Sequence, residues 1–145
     1  MKDLLNRYQK NSLRIALLGF EKNLRRALEW LDGYEENGIL YSRKLNHPEK
    51  NGKQARQEIK TALDMIEKLS RKFDLRKEDS DAASMLRGDL TISWANLLDT
   101  RANKLGRYGK VNPELASNLD SDIQNLAGIA LQLSALLGES KQEKP

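Results

Sequence analysis

The sequence predicts an all-α protein, an antiparallel up-down-up-down four-helix bundle with a long first helix. Three observations carry this. Four stretches repeat leucine-class residues at alternating steps of three and four, the period of a helix that buries one stripe. The only internal prolines, Pro48 and Pro113, fall between those stretches. The chain also holds 25 leucines but one valine, Val111. β-branched residues pack well on pleated sheets and lose side-chain freedom in helices, so that balance argues against strands.

The first helix is expected from about residue 3 to 45. Leu17, Phe20, Leu24, Ala27, Leu31 and Tyr34 form its stripe, and the phase runs on through Gly38 to Tyr41 and Leu45. Gly33 and Gly38 each cost roughly 1 kcal/mol against alanine in a helix interior, so a break near Glu36-Asn37-Gly38 is the alternative. The unbroken phase favours one continuous helix. Asn46-His47-Pro48-Glu49 opens the second helix, expected over 48–73, since proline suits the first turn and glutamate its positive end. Ala55, Ile59, Ala62, Ile66, Leu69 and Phe73 are its stripe, with Asp64–Lys68 and Glu67–Arg71 as i,i+4 ion pairs.

A turn at Asp74–Lys77 precedes a third helix over 80–106, capped by Asp79 or Ser80. Its stripe runs Ala83, Leu86, Leu90, Trp94, Leu97, Leu105 and falters at Arg101, which is expected to bridge to another helix or lay its stem over apolar surface. The fourth helix, 113–137, has the clearest start: Asn112 as N-cap and Pro113 as first residue. Leu115, Leu119, Ile123, Leu126, Ala130, Leu133 and Leu137 are its stripe, closed by Gly138. Residues 1–138 therefore read as one domain, and 139–145 as a flexible polar tail.

Composition bounds the chemistry. A 145-residue chain without cysteine cannot form disulfides, a thiolate nucleophile or a cysteine-ligated metal site. A single histidine, His47, leaves no way to assemble the Glu-x-x-His pairs of di-iron bundles. It reads as a surface residue at a helix start. No catalytic motif is present, so the expectation is no enzyme, no cofactor and no metal. No stretch reaches the ~20 apolar residues of a membrane span, and the first residues lack a signal peptide's apolar core. A cytoplasmic protein is expected.

Two binding readings remain. From Ile123 to Leu137 the fourth helix carries no charge and is apolar on most sides. Such a helix must be covered on most sides. The first reading is a non-enzymatic interaction or assembly protein, a homodimer or the partner of another protein, with Trp30, Leu131 and Leu136 at the interface. The second follows from charge: residues 1–77 carry 18 Lys/Arg against 11 Asp/Glu, and 78–145 carry 7 against 10. Lys50, Lys53, Arg56 and Lys60 on helix 2 could contact a phosphate backbone, with Arg107, Tyr108 and Lys110 as a second basic spot where Tyr108 stacks on a base. No helix-turn-helix, RNA-binding signature or zinc module accompanies them.

Overall fold

The computed structural model describes residues 4–138. It is mostly helical, as the leucine spacing predicts, and divides into two compact units between Glu78 and Asp79; the tail expected over 139–145 lies outside the described residues.

The first unit pairs two long helices through a small β-hairpin. Helix α1 spans Arg7–Leu31, β1 Glu35–Asn37, β2 Ser42–Lys44 and α2 Glu49–Lys72. Asn6 and Gln9 start α1 with a reciprocal capping box, the Asn6 side chain taking the Gln9 N–H at 2.8 Å and the Gln9 side chain the Asn6 N–H at 2.9 Å.

The expectation of a long first helix is corrected: α1 stops at Leu31, not near residue 45. Gly33, at φ 98°, is the cause. Its left-handed backbone lets its own N–H reach the Trp30 carbonyl at 3.2 Å and the Tyr34 N–H reach Glu29 at 3.1 Å. Those two bonds are the Schellman motif that closes a helix. The chain then turns back as two strands in register, Glu35 opposite Lys44 and Glu36 opposite Arg43. Opposite charges face each other across that ladder, which favours the pairing. The apolar phase beyond Tyr34 therefore belongs to a hairpin, not to a helix.

Helix α2 matches its expected bounds and ends in the same way. Asp74 takes the left-handed position at φ 51°, and Leu75 N–H bonds Ser70 at 2.8 Å. Leu24 on α1 and Ile59 on α2 are the buried hydrophobic residues of the pair, with Leu17, Leu28, Ala62, Ile66 and Leu69 half-buried. The helices run antiparallel, since Arg56 near the start of α2 reaches Asp32 and Leu31 at the end of α1. Of the two expected i,i+4 pairs, Glu67–Arg71 forms at 2.8 Å; Asp64–Lys68 is not among the ion pairs of the described residues.

The second unit contains α3, Ala83–Leu98; a short α4, Ala102–Leu105; a single 3-10 turn, Gly106–Tyr108; and α5, Leu115–Leu137. Asp81, rather than Asp79 or Ser80, accepts the first free N–H, that of Ala83, at 3.0 Å. The expected helix to residue 106 breaks at Leu98. Thr100 Oγ1 donates to the Leu97 carbonyl at 2.6 Å and Arg101 Nε to the Leu98 carbonyl at 3.0 Å, so side chains take the carbonyls a continuing helix would use. Arg101 caps its own helix instead of bridging to another. The chain restarts at Ala102, whose N–H is accepted by Asp120 of α5 at 2.8 Å.

Helix α5 begins two residues later than expected. Asn112 still organises the start, its side chain accepting from the Glu114 N–H and its carbonyl from Leu115. Helix α5 lies antiparallel on α3, buried along Ile123, Ala127, Ala130 and Ser134. Three of these four are small, which lets the two backbones approach closely. Arg87 closes the far end by donating to the Gly138 carbonyl at 3.3 Å.

Candidate interaction surfaces

The residues expected at an interface belong to both units. Trp30 is half-buried near the end of α1, where Tyr34 meets it edge-on with ring centroids 4.9 Å apart. Its ring forms the margin of the first unit's folded surface. Leu131 and Leu136 are exposed on α5, at 45% and 60%. At 100° per residue they point about 140° apart. They flank the buried Ile123–Ser134 stripe on opposite sides and do not form one patch.

Leu136 does share a patch with other residues of its helix. Leu126, Ile129 and Leu133, exposed at 50%, 51% and 39%, precede it at steps of three and four. Together they form a second apolar stripe about 110° around α5 from the buried one. The signal for it is two interleaved apolar phases in one helix, a pattern that periodicity alone does not divide into buried and open faces.

A second open apolar feature is the β-hairpin tip. Ile39 and Leu40 are fully exposed, at 101% and 95%, on a turn closed by the Gly38 N–H donating to the Tyr41 carbonyl at 2.8 Å. Tyr41 lies over Gly38 so closely that a Cβ there would stand 2.8 Å from its ring. At the base of the hairpin, the Tyr34 hydroxyl donates to the Glu36 carboxylate at 3.0 Å. That bond, and the negative charge behind it, raise the phenol's pKa above its ordinary value. The alternative break near Glu36-Asn37-Gly38 falls on this element, whose turn is centred on Ile39 and Leu40.

The basic residues are divided between the two units. Lys50, Lys53, Arg56 and Lys60 are exposed on α2 in the first unit; Arg107, Tyr108 and Lys110 are exposed in the second. Arg56 is already engaged within the fold. Its guanidinium pairs with the Asp32 carboxylate and donates to the Leu31 carbonyl at 2.6 Å. Arg107 approaches Asp99 at 3.8 Å and lies over the Tyr108 ring, 5.5 Å from its centroid. One face of the tyrosine is thus already covered by its neighbour.

Among the described residues, no three histidine or carboxylate side chains form a group that could hold a metal ion, and no helix is long and apolar enough to cross a membrane. Compared with protein-family models, with curated proteins and with solved structures, the chain matches none.

Proposed function

We propose that this chain is a binding and assembly protein rather than an enzyme, and that α5 pairs with α5 of a second copy. On this reading the apolar surface left over on α5 becomes a two-fold interface. The observation that carries it is the Leu126–Ile129–Leu133–Leu136 stripe, standing in a helix with no charge between Ile123 and Leu137.

Magnitudes favour a modest affinity. Fully burying one leucine or isoleucine gains about 1.5–3 kcal/mol, so finishing the burial of four half-exposed ones gains roughly 3–6 per chain. A two-fold interface uses the stripe twice, giving roughly 6–12 kcal/mol. Association itself costs about 4–15 kcal/mol in lost freedom. Only the largest gain with the smallest cost leaves about 8 kcal/mol, so the dimer is expected no tighter than about micromolar, and it does not weaken as salt is raised.

Sedimentation velocity of the full chain, from micromolar to hundreds of micromolar, tests this. The expected result is a monomer–dimer equilibrium that Leu126→Glu with Leu133→Glu abolishes while helicity is kept. A monomer across that range overturns the proposal. So does purified material carrying nucleic acid that high salt releases, which would favour the basic residues instead.

A further inference from the structure

Where the start of α1 meets the end of α2, the first unit has a cleft of about 280 Å³. Arg7, Lys10 and Arg14 line it from α1; Asp74 and Arg76 line it from the chain leaving α2. Four cations thus face one carboxylate. The crowding breaks two local rules at once. Arg7, Lys10 and Arg14 sit at i, i+3 and i+7 on one helix face, where like charges repel. They also occupy the first turns of a helix with no acid in its first turn, where the macrodipole disfavours positive charge. Positions that give up local stability in this way mark a functional site.

The protein's own groups offset little of that charge. Arg14 meets Glu78 only at 3.9 Å and otherwise donates to the Asn11 side chain at 3.2 Å. Arg7 donates to the Tyr8 hydroxyl at 3.1 Å. Lys10 and Arg76 make no ion pair among the described residues.

We propose that this cleft binds a phosphorylated ligand bearing at least two negative charges. Guanidinium forks match phosphoryl oxygens two at a time, and three of the four cations are arginines. The volume lies at the low end for small-molecule clefts, about 300–1,000 Å³, which fits a compact phosphorylated group rather than a track for a polymer. The backbone N–H groups of α1 are not the attraction, since the capping box already engages that end.

The test is a nuclear magnetic resonance titration of the isotopically labelled full chain with inorganic pyrophosphate. Saturable shifts are expected at Arg7, Lys10, Arg14 and Arg76. Arg7→Gln with Lys10→Gln should weaken binding about tenfold or more, as expected for losing charge-assisted contacts. Asp74→Asn should tighten it, because the carboxylate lining the cleft is neutralised. Lys68→Gln, which removes one positive charge away from the cleft on α2, should leave it unchanged. Cosedimentation with phosphoinositide-bearing vesicles identifies the source. Sedimentation lost in the Arg7/Lys10 variant assigns a lipid headgroup, and pyrophosphate binding without sedimentation assigns a soluble compound; both support the site. Absence of saturation, or equal weakening by Lys68→Gln, overturns it. Should the Arg7/Lys10 variant fail to fold, Asp74→Asn decides alone: tightening supports the site, and no change refutes it.

Discussion

Replacing Arg56 by alanine should destabilise the protein through the end of a helix that is not its own. Arg56 lies on α2, yet its guanidinium joins the Asp32 carboxylate and the Leu31 carbonyl, so it clamps the last turn of α1. The side chains of Arg56 and Asp32 are 45% and 61% exposed, which places the ion pair in the weak regime of about 0.5 kcal/mol. A cation on a helix's terminal carbonyl adds a charge-assisted bond and a favourable dipole term, about 0.5–1 kcal/mol at this exposure. The sum is about 1–1.5 kcal/mol. Urea unfolding followed by circular dichroism should therefore show a midpoint lower by about 0.5–1 M, taking a slope of about 1–3 kcal/mol/M. Arg56→Lys keeps the charge but not the fork, and should fall between. A double-mutant cycle with Asp32→Ala should show positive coupling. If Arg56→Ala unfolds within 0.3 kcal/mol of the parent, about the scatter expected of independent sites, the clamp is refuted and Arg56 becomes available as a phosphate contact.

Two glycines should respond in opposite senses. Gly33→Ala meets no atom within 4 Å but forces a φ of 98° on an L-residue, and should cost about 1–2 kcal/mol. Gly128→Ala, also with open space around it but inside α5, should gain about 0.5–1 kcal/mol from helix propensity; the same unfolding measurement checks both. Ultraviolet titration should find Tyr34 ionising above the ordinary tyrosine value, and Glu36→Gln should lower it toward that value. Because the fold favours the neutral phenol, its contribution is fully present below about pH 10 and is lost as pH climbs through the raised value.

How much of the fold is legible in the sequence depends on which physical signal each residue carries. The stripes of α2 and α5 are readable because burial at steps of three and four leaves a direct trace, and their bounds agree with the structure to within two residues. The end of α1 is not. Gly33 carries two meanings, a tolerated defect inside a helix or the left-handed residue that closes one, and apolar phase does not separate them. The break after Leu98 is hidden for a related reason. It is made by Thr100 and Arg101 bonding carbonyls three residues back, while Asp120 in α5 caps the restart at Ala102 from 18 residues away. Among candidate site residues, the charge of Arg56 is plain but its use is not, since the carbonyl it holds comes from another helix. The cations of the cleft escape a linear reading because Arg76 adjoins α1 only after folding.

The contact between α3 and α5 rests on Ala127, Ala130 and Ser134, and among the described residues no side chain falls below 2% exposure. A layer one helix thick on each side has a seam but no interior, so the water at its margins always competes for it. On the proposed pairing of α5 with a second copy, occupancy of the outer face would become part of the folding equilibrium itself. The melting temperature of such a protein should climb with its own concentration, and dilution alone should act as a mild denaturant.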